Sequence, residues 1–580
     1  MRGTAAERRE ELDSKYPVWE HLTTWGRFAI NAGRFRERVF ITTDEGDFTY
    51  AEVACRAIQA SEALALSGVV RGMHVGIHLC NNIDFVVMTY ALSILGAVSV
   101  LLNPKSPAPY VAELSEHAGV RILLTREEQI LKSPELGERG IKVIDSRKFL
   151  ERDPQTGEGI RVLQESQKRT NRLVTVETDP DRTAVIIFTS GSTSQPKCVT
   201  LTHDALLRSS FGTCRTRCME EGRRILLPIP LFHAMGYVEG LLSVVFVGGS
   251  VVLTEKKFEP DRILTDLKKY HCNDLVCVSL IAMRLLEEQN KRRESFPDLH
   301  AAYWASSCPD HVWEEAAEAF GIDDITTAYG MTECGSTSTM TRPEDPLPLL
   351  KRCHGVIKEA GCAGIREEGG RLLRIRIRDP ETGEELPAGR PGVLYCQGPC
   401  VTKEYYNDAA ATAKAIDKNG WFCTNDICVV DEKGYLTFLG RSDDVYKING
   451  ENVSPALIDS VIEEWPGVVE TASVGIPDDR YGFVGATFVE LAIPYKADSG
   501  STDKGLPEQC SPEESDLSLR DFCAKKLLHY QRPKYFIYVR ADQWIRTSNN
   551  KVIKAKMKKL AEELISRDPS KETIFLYREK

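Results

Sequence analysis

From about residue 48 the chain alternates amphipathic helix with short β-branched strand, and this alternation restricts the fold more than any other feature. AEVACRAIQASEALALSG (51–68) has apolar residues at helical spacing, and HVGIHLC (74–80) follows as a strand. Helices that separate successive strands cover both faces of a parallel sheet, so an α/β fold of doubly wound sheets is expected. At 580 residues the chain exceeds what one hydrophobic core can organise, so at least two domains are expected.

Two apolar runs are long enough to be tested against a membrane. FVVMTYALSILGAVSVLLNP (85–104) contains Thr, Ser and Gly and closes on Asn-Pro, which divides it into a helix followed by a strand. GLLSVVFVGGSVVL (240–253) divides in the same way at Gly248 and Gly249. Both read as buried α/β elements, and no transmembrane segment is expected. The N-terminal MRGTAAERREELDSKYP lacks the apolar core of a secretory signal, and the 17 cysteines are scattered without paired zinc-ribbon spacing. Reduced thiols and a cytoplasmic location are expected. A net charge of -10 gives no field that would gather nucleic acid.

The pattern changes in the last third of the chain. LLRIRIRDPETGEELPAGRPGVLYCQG (372–398) and GYLTFLG (434–440) have short strands broken by turn residues, as in a small β-barrel-like subdomain. Strand-helix periodicity restarts after GRSDD (440–444) with ALIDSVIEEW and TASVGIP. This places a large N-terminal domain at 1–440 and a smaller α+β domain at 441–580. KADSGSTDKGLPEQCSPEESD (496–516) reads as a polar surface insertion in the second.

Chemistry concentrates in IIFTSGSTSQPKCVTLTH (186–203). A strand delivers Thr189, Ser190, Gly191, Ser192 and Thr193 as a loop whose N–H groups and hydroxyls suit a polyphosphate, and Lys197 adds a point charge. The spacing is not that of the Walker loop. A Ser/Thr-Gly loop alone is more often a plain turn, so the reading depends on what accompanies it.

Six further motifs accompany it in a fixed order: FTYAEV (48–53), PLFHAMG (230–236), YGMTE (329–333), WFCTND (421–426), GRSDDVYKINGENVSP (440–455) and RTSNNK (546–551). With the phosphate loop, they make the chain resemble the adenylate-forming superfamily of acyl-CoA synthetases, peptide-synthetase adenylation domains and firefly luciferases. The resemblance implies activation of a small carboxylic acid with ATP and Mg²⁺ to an acyl-adenylate, followed by transfer to a thiol. Two crowded anions must be neutralised in the first step. It implies Lys551 as the bridge between carboxylate and phosphate, Glu333 as the magnesium ligand and Thr332 as a donor to the α-phosphate. It also implies nucleotide contacts from Tyr329, Asp426 and Arg441, an acyl-pocket role for His233 and a hinge at Asp443. Coenzyme A is the expected acceptor, with the phosphopantetheine of an acyl carrier protein as the alternative partner. A degenerate, non-catalytic nucleotide or acyl binder is the alternative from another class.

The chain departs from the family pattern where glycine is usual: Ser194, Asn425 and Asn550, and the WASSCP segment at 304–309. Asparagine is the non-glycine residue that best tolerates a left-handed backbone, so two of these turns are expected to survive. Phe232-His233 stands where amino-acid-activating members carry Phe-Asp, so a substrate ammonium would lack its counter-charge. A fatty or aromatic acid is the expected substrate.

Overall fold

The computed structural model describes residues 3–149, 176–189, 196–253, 258–305, 310–442, 444–448, 451–465, 467–478, 480–491, 512–546 and 552–576. Two mainly parallel sheets realise the helix-strand alternation. The first orders its strands Lys142–Asp145, Ile122–Thr125, His74–His78, Val98–Leu101, Thr183–Thr189 and Lys197–Thr202. All neighbours in it are parallel except the last pair. The second runs Asp324–Thr326, Ala301–Ala305, Asp274–Val278, Arg224–Leu227, Ser250–Leu253, Val39–Thr43 and Gly46–Thr49, again antiparallel only in its last pair.

FTYAEV acquires a physical meaning here. Thr49 and Glu52 form a capping box on the helix Tyr50–Leu66: the Thr49 hydroxyl accepts from the Glu52 N–H at 3.2 Å, and the Glu52 carboxylate accepts from the Thr49 N–H at 2.7 Å. Such a cap stabilises a helix by about 1 kcal/mol. The Tyr50 hydroxyl then donates to the Gly249 carbonyl at 2.8 Å, fastening the helix to the segment that enters strand Ser250–Leu253.

Both apolar runs divide where expected. Helix Ile83–Leu95 ends on Gly96 at φ +64° before strand Val98–Leu101. The other run passes through a π-helix, Met235–Leu242, and a 3₁₀ turn, Ser243–Val247, before its strand. Among the described residues no helix is long and apolar enough to cross a membrane. The described cysteines are free thiols. In the turn-rich region, strands Arg374–Arg378, Gly392–Gln397, Phe422–Val430 and Leu436–Arg441 form a four-stranded sheet in that order.

The chain divides into two compact units. One comprises Met1–Arg376, Tyr395–Thr424 and Val430–Leu436; the other comprises Ile377–Leu394, Asn425–Val429 and Thr437–Lys580. In the first, one buried cluster joins Val98, Val100 and Ile186 of the sheet to Val111 and Leu114 of helix Ala108–His117. In the second, strands Val468–Asp478, Gly482–Leu491, Tyr535–Tyr538 and Thr573–Phe575 form a sheet covered on both faces. Ala472, Val474 and Ile476, at a spacing of two, meet Met557, Ala561 and Leu564 of helix Lys554–Arg567. On the other face Ile458 and Ile462 of helix Pro455–Glu463 pack with Phe536 and Tyr538. The two-residue and three-to-four-residue spacings are those of a strand and a helix sharing a core.

Candidate functional site

In the first unit the two ends of the phosphate-loop motif are Thr189 and Lys197, directly opposite one another across the antiparallel strand pair. Ser190, Gly191, Ser192 and Thr193 lie outside the described residues, as does Ser194. Residues 402–406 are stitched onto the Lys197 strand. The Tyr406 N–H donates to the Cys198 carbonyl at 2.8 Å, the Thr200 hydroxyl to the Glu404 carbonyl at 3.0 Å, and the Thr402 hydroxyl to the Thr200 carbonyl at 2.8 Å. This stitching fixes Tyr405. Lys197 Nζ stands 4.6 Å from the centre of the Tyr405 ring, a cation–π distance. The Tyr405 hydroxyl donates to Glu333 Oε1 at 3.0 Å. A cation over the ring face and a carboxylate at the hydroxyl, from distant motifs, are thereby brought to one aromatic side chain.

Glu333 is buried, at 5% exposure, in the 3₁₀ turn Thr332–Cys334. The turn follows strand Ala328–Tyr329, which pairs with Thr339–Met340, and Tyr329 is itself buried. Gly330 is obligatory between them: a Cβ there would lie 2.2 Å from the Ser336 carbonyl oxygen and 2.3 Å from Thr337 Cα. The Thr402 N–H donates to the Glu333 carbonyl at 2.7 Å, so the stitched segment also holds the backbone of this turn. Thr332 is half-buried beside it.

His233 is half-buried in the turn that opens the π-helix, its ring 4.3 Å from that of Phe232. Gly236 permits the turn, since a Cβ there would sit 2.2 Å from the Pro230 carbonyl oxygen. Asn81 clamps the approach from outside: its amide donates to the Ile229 carbonyl and accepts from the Leu231 N–H, both at 2.8 Å. π-helical turns recur at functional sites because their wider backbone displaces side chains from the regular helical positions.

In the second unit Asp426 is buried at 3% exposure, and Arg441 Nε lies 2.9 Å from its Oδ1. Asn425 adopts φ +61°, so asparagine does hold the left-handed position where the family has glycine. The Ser442 N–H closes the arrangement on the Asn425 carbonyl at 2.8 Å. Lys551, Asp443 and Asn550 lie outside the described residues, as do the last four residues of WASSCP.

Two contributors were not selected as site residues from the sequence. Tyr405 lies outside the phosphate loop and the six motifs, and Asn81 carries no signal beyond its place after a strand.

These residues fit a magnesium-bound polyphosphate. Mg²⁺ carried by a nucleotide keeps much of its water and takes one or two protein carboxylates, so a single buried Glu333 next to a threonine hydroxyl is sufficient. No cluster of three His, Cys, Asp or Glu able to hold a metal occurs among the described residues, and a nucleotide-borne ion requires none.

Comparison with known proteins agrees with this chemistry. The family model described as AMP-binding enzyme matches residues 28–406. The mitochondrial medium-chain acyl-CoA ligase ACSF2 of Danio rerio is 26% identical over 556 residues, covering 91% of this chain and 86% of its own. A 4-coumarate–CoA ligase of Vanilla planifolia is 26% identical over 530 residues, covering 88% and 89%. Among solved structures, the anthranilate CoA ligase AuaEII in complex with anthranoyl-AMP superposes with a TM-score of 0.79 at 21% identity, over 95% of this chain and 99% of that one.

Proposed function

The chain belongs to the AMP-binding enzyme family, and from that premise we propose that it joins a fatty or aromatic carboxylic acid to coenzyme A through an acyl-adenylate. It is an acid–thiol ligase. A carboxylate oxygen attacks the α-phosphorus of MgATP and pyrophosphate leaves; a thiol sulfur then attacks the acyl carbonyl carbon and AMP leaves. The line from Lys197 through Tyr405 to Glu333 is the observation that carries this reading. It gathers opposite charges that a polyphosphate and its magnesium each need, and folding alone has little use for them there.

In this reading Lys197 and the 190–193 loop hold the outer phosphates, Glu333 takes the magnesium, and the Thr332 hydroxyl donates to an α-phosphate oxygen. Asp426 accepts the ribose hydroxyls with Arg441 beside it, Tyr329 lies against the nucleotide, and His233 borders the acyl group. The absence of an acid at His233 favours an uncharged acyl tail. The fatty and aryl relatives are equally similar, at 26% each, so the acid must be found by assay. Both are named as CoA ligases, which favours coenzyme A over a carrier protein. Release of AMP from ATP with coenzyme A and a mixed pool of fatty and aryl acids tests the reading, and splitting the pool identifies the acid. Turnover only with an α-amino acid would reverse the substrate assignment, and no turnover with any acid would favour a non-catalytic binder.

Glu333→Gln keeps the acceptor for Tyr405 and removes the charge. The variant is expected to fold normally and to need roughly tenfold more magnesium for half-maximal adenylation. An unchanged magnesium titration would refute the ligand role.

Successive use of one acyl carbonyl by Lys551 and then by a thiol calls for a rotation of the 441–580 domain about Asp443. Proline fixes φ and removes a donor, so Asp443→Pro is expected to slow one half-reaction about tenfold and spare the other. Wild-type rates in both would place the pivot elsewhere.

A further inference from the structure

Behind the Thr332–Glu333 turn lies an ion pair that the reaction above leaves unused. Glu239 of the π-helix and Lys358, just past strand Val356–Ile357, are both completely buried. Lys358 Nζ donates to the Ser209 carbonyl and hydroxyl, each at 3.0 Å, to the Thr213 hydroxyl at 2.9 Å and to Glu239 Oε1 at 3.4 Å. Glu239 Oε1 also accepts from the Thr337 hydroxyl at 2.6 Å, and its Oε2 accepts from Thr213. Burial works to lower the Lys358 ammonium, against the pull of Glu239.

A buried ion pair is a poor source of stability, because desolvation offsets the attraction and an apolar pair of the same volume packs as well. What the pair supplies is fixed geometry. Its partners come from helix His203–Thr216, from the π-helix that continues the His233 turn, and from Thr337, four residues after Glu333. Ser209 also backs onto Gly335 at the end of the Thr332–Cys334 turn, where a Cβ would lie 3.3 Å from the serine Cβ. The network therefore touches the turn at its end and just beyond it, and reaches the element that follows His233.

We propose that Glu239 and Lys358 are positioning residues that hold the Thr332–Glu333 turn in register with the His233 turn, so that the groups meant for magnesium, α-phosphate and acyl carboxylate keep one fixed separation. This rests on the reading of the site given above. Side chains bonded to two or more separate segments resist a shift of any one of them, because hydrogen bonds fix distance and angle where apolar contacts are non-directional.

The double variant Glu239→Leu/Lys358→Met removes both charges together and leaves no buried charge unpaired. Thermal melting reports its fold, and calorimetric titration with MgATP reports the turn without requiring the acid to be known. The expected result is a melting temperature close to wild type with MgATP bound roughly tenfold more weakly, the equivalent of one misaligned charge-assisted hydrogen bond. A folded double variant that binds MgATP as tightly as wild type would overturn the positioning role and leave the site reading intact. Failure of the wild-type chain to bind MgATP would overturn the site reading, and this inference with it. Should the double variant not fold, Thr337→Val decides, since it removes only the hydroxyl that links Glu239 to the segment after Glu333. MgATP binding severalfold weaker is then expected, and unchanged binding would overturn the proposal.

Discussion

Lys551→Ala is expected to slow acyl-adenylate formation by roughly 10²–10³-fold, the cost of losing one positioned charge where charge develops in the transition state. The same variant should capture supplied acyl-adenylate with coenzyme A at close to the wild-type rate. The asymmetry follows from the chemistry. In the first half-reaction a carboxylate approaches a phosphate and the two negative charges must be bridged. In the second, AMP departs from a neutral carbonyl and that particular cation has no anion pair to neutralise. Lys551 is followed by Lys554, Lys556, Lys558 and Lys559, and a lysine-rich helix is ordinarily a solvated face. Lys554 is committed elsewhere, to Asp459 at 2.9 Å. Lys554→Ala is therefore the control. Equal losses in both half-reactions for Lys551→Ala would make it a structural lysine.

The fold was legible wherever local periodicity and turn chemistry agree. The 85–104 run divided at Gly96 because a helix of continuous apolar character must still end, and a glycine in the left-handed region ends it. FTYAEV could be recognised by resemblance, but its content is a Thr-x-x-Glu capping box that the bare sequence also carries. The π-helix after His233 could not be foreseen, since PLFHAMGYVEGLL has apolar residues compatible with either helical period.

The candidate site was legible in its parts and not in its connections. Lys197 is legible as a point charge in its own loop and Glu333 through the resemblance, and nothing in either motif names the other. Tyr405 joins them through a ring on one side and a hydroxyl on the other, and its position depends on backbone stitching between residues 198–200 and 402–406. Contacts of that sequence separation have no local signature. The same holds for Asn81, whose side chain mimics a strand neighbour for residues 229–231. The Glu239–Lys358 pair was hidden for another reason: a glutamate amid GYVEGLL and a lysine in VIKEA look like ordinary polar interruptions until both prove to be buried.

Acidification should weaken the first unit well before its carboxylates protonate. His78, His203 and His354 are buried there, and burial pushes each imidazole down to about 4. His203 shows why the neutral form is required. It opens helix His203–Thr216, whose N-terminal dipole disfavours a cation, and its Nδ1 accepts from the Thr24 N–H at 3.3 Å. In the unfolded chain each histidine binds its proton near pH 6.5. The unfolded state thus holds more protons between pH 6.5 and 4, and stability falls as pH is lowered through that window. At pH 5 the loss relative to pH 8 is about 2 kcal/mol per histidine, on the order of 6 kcal/mol for the three. Burial works to raise the Glu177 carboxyl, but hydrogen bonds from Arg71 and from backbone N–H groups outweigh it and hold the group at about 2, so its contribution is lost only at lower pH. Glu463, in the second unit, runs the other way: burial, with Asp459 and Glu470 nearby, raises it to about 8, and that unit gains stability as pH falls toward 4.5. His203→Gln separates these contributions, because glutamine offers the Thr24 N–H an acceptor and does not titrate. Denaturant unfolding of wild type and variant at pH 8 and pH 5 should show the wild type losing about 2 kcal/mol more than the variant across that interval. Equal losses would mean that the His203 imidazole accepts its proton without disturbing the helix it begins.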